Sequence, residues 1–500
     1  MRHILPSQPV PEHRYVERVL RHSPDSLVRV IAATSPDLPA VRDLGKRDLG
    51  PYGPWALQDV AWVSLALGSD ARPAATSDDL AEIVGLYLAL DDPITHEPDD
   101  GLRVERLLQR VTHQQGGWQE SDYAQLSRSV ALLKQTSHPD GLEVIRPGWD
   151  HDLLGCSLTD YVGLAELVWA CATYHPDPRR RGRFAVEWYP ARDYSEFDHL
   201  HSPAQLKAVL RRHFATTKLR LRTSYPTDAD PLVRRYTHNP LRSRPLVSGM
   251  PGGYLVPVPA AVLRKATPLG LYYTGGDNNS ERGKAFTRDV GHLFERYVGR
   301  QLALLTDADV HPEVEYRLSK MQKGKSVDWI VVFPDLVLLV EVKSTRPGEA
   351  LRLGAENFTR LLDGQFRKAF KQVDNSADRI RSGAHPEFDH VPRDRQMVGM
   401  VVTAEQFHQI NTPEHRSELP STSVPVTVTS IQELEDAVTI TGTSLAEVLR
   451  ASAVGGGAAL RPLFQGHKFL DHNAVLEQGW SAIPFTRPAA PTRGRPVDTV

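Results

Sequence analysis

Ser326-Val327-Asp328-Trp329-Ile330-Val331-Val332-Phe333-Pro334-Asp335-Leu336-Val337-Leu338-Leu339-Val340-Glu341-Val342-Lys343 is two apolar runs separated by Pro334-Asp335. Short, continuous apolar runs rich in Val and Ile, bounded by turn residues, read as strands buried on both faces. The segment is therefore expected to be a hairpin of two core strands, 326–333 and 336–344. Within it, Asp328, Glu341 and Lys343 carry charge. Burying such groups costs several kcal/mol unless they are paired or bind a metal, which marks them as candidates for chemistry.

The register follows from the turn. A two-residue turn at Pro334-Asp335 sets Phe333 against Leu336, and counting outward from that pair sets Asp328 against Glu341. Residues opposite one another across two strands have Cβ atoms ~4.5–5.5 Å apart. A four-residue loop keeps this register; an odd-length loop breaks it. Lys343, two residues after Glu341, projects from the same face of its strand. Two carboxylates this close repel unless positive charge lies between them. Oxygen ligands alone suit a hard cation such as Mg²⁺, with Mn²⁺ as a substitute, which takes one or two carboxylates together with water and substrate phosphate. A lysine beside such a site can hold the attacking water or offset phosphate charge. This is equipment for phosphodiester hydrolysis.

Working outward, a helix is expected over 286–306 and a strand over 310–318. Beyond the hairpin come a long helix over 357–381 and strands at 397–403 and 424–429. A further helix opens at Ser430-Ile431-Gln432-Glu433, which has capping-box spacing. The order αβββαββα, with crossovers joining the last strands, predicts an α/β domain: a mixed sheet with flanking helices.

In this context Asp328, twelve intervening residues and then Glu341-Val342-Lys343 resemble the D…ExK signature of the PD-(D/E)xK nuclease superfamily, the restriction-endonuclease-like fold. The resemblance covers about residues 286–440, and the αβββαβ order accompanies the motif. It implies that Asp328 and Glu341 are metal ligands and Lys343 the catalytic lysine. It also implies a glutamate on the first helix near the metal, which Glu295 matches, and glutamine on the helix after the motif, which Gln365 and Gln372 match. These glutamines are seven residues apart and share a helix face; one of them can hold the lysine or a phosphate. The proline that gives the superfamily its name does not precede Asp328. The implied activity is that of an Mg²⁺-dependent endonuclease, with DNA a better candidate substrate than RNA and defence against phage or foreign DNA as a role. A different class of reading is a catalytically silent nuclease-fold module that binds nucleic acid or assembles a larger complex. Metal-dependent cleavage against metal-independent binding separates the two.

The remainder of the 500 residues exceeds one ordinary domain. Residues 1–240 read as mostly helical, for example 79–90 (capped by Ser77 or Asp78), 123–133 and 158–172, separated by Pro- and Gly-bearing breaks. Residues 241–285 read as a connecting segment, 286–453 as the nuclease-like domain, and 454–500 as a tail, partly disordered. Between Lys207 and Arg244 ten Lys or Arg face two Asp. Such a stretch can neutralise phosphates, so Arg211, Arg212, Arg220 and Arg222 are candidate nucleic-acid contacts, against the plainer reading of a solvated face. Glu313 and Glu315 are candidates for additional ligands. His199 and His201 beside Asp198, and Asp150-His151-Asp152, read as structural.

Composition closes several classes. With 59 Lys+Arg against 61 Asp+Glu, the net charge is −2 and any nucleic-acid surface is local. Two cysteines, Cys156 and Cys171, make neither a disulfide scaffold nor a four-cysteine zinc site, and they favour a reducing, cytoplasmic compartment. The first residues lack the apolar core of a signal peptide. No apolar run reaches the ~20 residues of a membrane span, and no Walker-type lysine motif points to an ATP site. Because enzymes that cut two strands are commonly dimers, a homodimer or a defence-system partner protein is the expected assembly.

Overall fold

The computed structural model describes residues 8–35, 52–97, 102–118, 120–177, 180–188, 191–250, 252–276, 280–319, 322–354, 358–407, 409–417 and 419–485. It is an α/β protein in which helices predominate. Its centre is a five-stranded mixed sheet. In chain order the elements are α1 (Glu281–Leu302), β1 (Asp309–Pro312), β2 (Trp329–Val332), β3 (Leu336–Lys343), α2 (Phe358–Ser382), β4 (Gln396–Thr403), β5 (Val426–Ser430) and α3 (Ile431–Ala437). The spatial order is β5-β4-β3-β2-β1. Strands β3, β4 and β5 run parallel, whereas β2 and β1 are antiparallel to their neighbours.

Continuous apolarity forms the central strand. Leu336 to Val340 and Val342 are all buried, and each such side chain contributes roughly 1.5–3 kcal/mol of burial. Even-numbered residues of β3 face a core shared with α1, through Phe294, Tyr297 and Val298. Odd-numbered ones face a second core under α2, through Phe366, Phe370 and Val373. The Phe333 N–H donates to the Leu336 carbonyl at 2.8 Å, so the turn is the two-residue one. Pairing from Val332–Val337 to Trp329–Val340 carries the register to Asp328 opposite Glu341. Helix α3 starts on the expected capping box between Ser430 and Glu433.

Around this sheet the chain departs from its expected divisions. The described part of 241–285 is folded: strands Leu246–Met250 and Gly253–Leu255 pair with each other, and helices Ala260–Lys265 and Pro268–Gly275 follow. Their small sheet includes Arg183–Phe184 and Ala215–Thr216. Residues after 454 also pack. Helix Ala474–Ser481 lies on helix Asp122–Val130, with Tyr123 against Trp480 and the Tyr123 hydroxyl donating to Glu477 at 2.8 Å. Residues 486–500, where disorder was expected, lie outside the described residues. One core cluster runs from Leu126 to Ile483, which a separate helical half and a loose tail would not produce.

Buried polar links reinforce that continuity. The Asp289 carboxylate of α1 accepts the N–H groups of Glu143, Val144 and Ile145 at 3.1, 2.6 and 2.8 Å. Arg128 reaches across to Glu435 of α3, which also accepts the Tyr297 hydroxyl. A third core holds the N-terminal helices Glu12–Val19, Pro24–Thr34, Pro54–Leu67 and Ser77–Leu88. The last of these is capped by Thr76, through a capping box with Asp79, rather than by Ser77 or Asp78. Among the described residues no helix is long and apolar enough to cross a membrane.

Candidate active site

The hairpin brings Asp328, Glu341 and Lys343 together at the end of the sheet, on the side facing α2. Asp328 sits just ahead of β2, and its Oδ2 accepts the Val342 N–H at 2.6 Å. Glu341 is almost wholly buried, at 1 % exposure. Its Oε1 is bonded by the Lys343 ammonium, while its Oε2 is buried with no hydrogen-bond partner among the described residues. The Lys343 Nζ also donates to the Gln372 Oε1 at 3.3 Å.

The chain around the trio fixes it. Two residues not anticipated from sequence act here. The Ser376 hydroxyl of α2 accepts the Val327 N–H at 3.0 Å and donates to the Gln372 carbonyl at 2.8 Å, pinning the strand entry to the helix. The Trp329 indole donates to the Glu295 carbonyl at 2.9 Å, seating β2 on α1. Ser376 lies four residues after Gln372 and so on its face, the one sequence signal that could have found it. The Trp329 contact has no such signal. Gly299 leaves the space that the indole fills, since a Cβ there would come within 2.1 Å of the ring.

Electrostatics follow the geometry. Burial raises the Asp328 carboxyl to about 6, opposed by the Val342 N–H and assisted by the Glu295 charge. Burial raises Glu341 further, to about 8, and the neighbouring Asp328 charge adds to it, while Lys343 acts against both. Two acidic groups thus sit with less positive charge than they require. A divalent cation meets that deficit, and the orphaned Glu341 Oε2 is an oxygen with a free lone pair to offer. The residues present therefore fit a hard cation, with Asp328 and Glu341 as its protein oxygens. Glu295 is close enough for its charge to act on both carboxyls, yet its side chain is 43 % exposed and 3.9 Å from His292. No group of three or more His, Cys, Asp or Glu positioned to hold a metal occurs among the described residues. Two protein carboxylates with water and phosphate oxygens match the usual habit of Mg²⁺.

Other candidates are placed elsewhere or differently used. Gln365 lies on α2, but its side chain is outside the described residues. Glu313 and Glu315 form ion pairs with Lys325 and Lys323, at 2.7 and 3.0 Å, rather than joining the trio. Arg211, Arg212, Arg220 and Arg222 are exposed. Arg212 donates to the Asp152 carbonyl and Arg222 to the Ala66 carbonyl. The basic stretch they belong to is not one solvated face, because Arg234 is buried against Asp59 at 2.9 Å and Arg235 pairs with Asp92 at 2.7 Å. The Asp150 carboxylate accepts the Leu158 N–H, and Asp160 accepts those of Asp198 and His199, structural uses in each case.

Comparison with protein-family models, with curated proteins and with solved structures gave no match.

Proposed function

We propose that the chain is a metal-dependent nuclease of the PD-(D/E)xK type, cutting phosphodiester bonds, with DNA as substrate. The observation that carries this reading is the Glu341 carboxylate: buried, opposite Asp328, bonded through one oxygen to Lys343 and left with the other oxygen unpartnered. A scaffold has no use for such an arrangement, which costs stability. The strand order around it, a hairpin followed by a helical crossover to a parallel neighbour, also suits the restriction-endonuclease-like core.

Asp328 and Glu341 would hold Mg²⁺ or Mn²⁺, with Glu295 beside them. The cation supplies Lewis acidity toward the scissile phosphate. Lys343, fixed by Glu341 and Gln372, orients the attacking water and offsets charge that develops on the phosphate. Ser376 and Trp329 keep the carboxylates in register by holding β2 between α1 and α2. The exposed arginines at 211, 212, 220 and 222 supply sequence-independent attraction to nucleic acid. Defence against foreign DNA is the role this combination suits. The test is cleavage of supercoiled, linear duplex and single-stranded DNA with Mg²⁺, Mn²⁺ or EDTA. Metal-dependent cutting supports the reading, and metal-independent binding without cutting favours a silent module.

A further inference from the structure

A cavity lies not at the carboxylate pair but beside it, past the end of β3, where Ser344 lines it. It measures about 230 Å³. A single water needs at least ~10–15 Å³ of such space, so the cavity admits a small organic molecule and is far too small for a duplex. Its walls are drawn from segments spread between Thr112 and Gln432.

Cations dominate its lining. Arg128, Arg242, Arg264, Lys265, Arg346 and Arg352 face it, against Glu120 and Glu405. Glu120 is taken by Arg128, at 2.5 Å. Glu405 lies between the charges of Arg346 and Arg352. Among the described residues Arg242 makes no ion pair: its Nη2 donates to the Gln114 carbonyl at 3.2 Å. Arg264 comes only within 3.9 Å of Asp122. The Nε atoms of Arg242, Arg264, Arg346 and Arg352 are buried without an acceptor. Burial pushes Arg242 below the ordinary arginine range, and the charges of Arg352 and Arg264 push it the same way. Burial likewise brings Lys265 down to about 8. The described residues leave this cluster short of negative charge.

The cations are also preorganised. The Arg346 guanidinium lies 3.6 Å from the Tyr272 ring centre and that of Arg264 lies 5.2 Å from Trp118. Planar guanidinium groups held on aromatic rings present their donors to phosphate oxygens at little entropic cost. The lining also carries apolar groups, Trp118, Leu132, Val290 and Phe294. Such a lining suits a phosphate joined to an apolar or aromatic body.

We propose that this cavity binds a small organic phosphate of nucleotide size, held by Arg242, Arg264, Arg346 and Arg352. Ser344 and Arg346 line it directly after Lys343, so the occupied cavity holds the end of the strand that carries the candidate catalytic lysine. Any effect on cleavage rests on the nuclease reading; the binding itself does not.

The test is isothermal titration of the full chain with inorganic phosphate, pyrophosphate, AMP and ATP. Saturable binding of AMP or ATP at one site is expected, tighter than that of phosphate or pyrophosphate because the apolar groups of the lining are then used. Arg242→Gln and Arg352→Gln are each expected to weaken it about 10- to 100-fold, the loss of a charge-assisted hydrogen bond. If Arg242→Gln fails to fold, Arg352→Gln, at the half-exposed rim, decides the matter. Absence of saturable binding by every probe overturns the proposal. So does binding that both arginine variants retain. Binding of pyrophosphate alone, without gain from the nucleoside, overturns the nucleotide-sized assignment.

Discussion

Replacing Glu341 by Gln is expected to stabilise the metal-free protein. The carboxyl is 1 % exposed and one oxygen has no donor; burial, with Asp328 opposite, raises it to about 8 from an ordinary 4.5. In the unfolded chain the group is ionised at pH 7, so folding must protonate it. The gap from 4.5 to pH 7, at about 1.36 kcal/mol per pH step, corresponds to about 3 kcal/mol. The sign follows from linkage: a carboxyl whose value rises on folding costs nothing well below 4.5, and the cost accumulates up to about 8. Glutamine keeps the shape and removes that cost. Urea unfolding in EDTA should therefore show Glu341→Gln about 3 kcal/mol more stable than wild type at pH 7, with the gain shrinking to about 1 kcal/mol at pH 5. Mg²⁺ or Mn²⁺ should stabilise the wild type and leave the variant unmoved. A variant less stable than wild type in EDTA at pH 7, or a gain that is the same at pH 5, refutes the reasoning.

Three further outcomes test the frame around the site. Asp59→Ala removes one of the carboxylates, Asp59 and Glu12, that pair with the buried Arg234 and should destabilise the fold by up to ~3–5 kcal/mol in chemical denaturation, whereas a solvated arginine would register almost nothing. Gly299→Ala forces a methyl against the Trp329 ring; a loss of ~1–3 kcal/mol, with a shift in tryptophan emission, is expected. His213 is buried beside Tyr161, and burial lowers it to about 4. Its neutral form is the one folded, so the stability it protects is complete above 6.5 and lost as pH falls toward 4, about 3 kcal/mol in all. The pH profile of His213→Phe should be flatter over that interval.

The hairpin was legible because two rules agreed on it: continuous apolarity made both strands, and a two-residue turn fixed which residues face each other. Asp328 and Glu341 could be paired from sequence for that reason, and the Phe333–Leu336 hydrogen bond is the turn so inferred. The α/β order was readable from the same periodicities. What could not be read is what depends on distant partners. Arg234 and Arg235 look like members of a solvated basic run until Asp59 and Asp92, more than 140 residues earlier, are seen beside them. Residues 241–285 look like a linker because Pro and Gly punctuate them, yet their short strands complete a sheet begun at Arg183. The arginines of the cavity come from separate segments, at 242, 264, 346 and 352, and no local pattern unites them. Helix Ala474–Ser481 was missed because its value lies in the face it covers on helix Asp122–Val130 rather than in its own short sequence.

The central claim is that the buried trio performs metal-dependent phosphodiester hydrolysis. The most direct measurement is cleavage of supercoiled plasmid by wild type and Lys343→Ala, each with Mg²⁺, Mn²⁺ or EDTA. Cutting by the wild type with either metal, none in EDTA, and a loss of at least about 100-fold in the folded variant are expected. Cutting that persists in EDTA, or that Lys343→Ala performs as fast as the wild type, contradicts that claim.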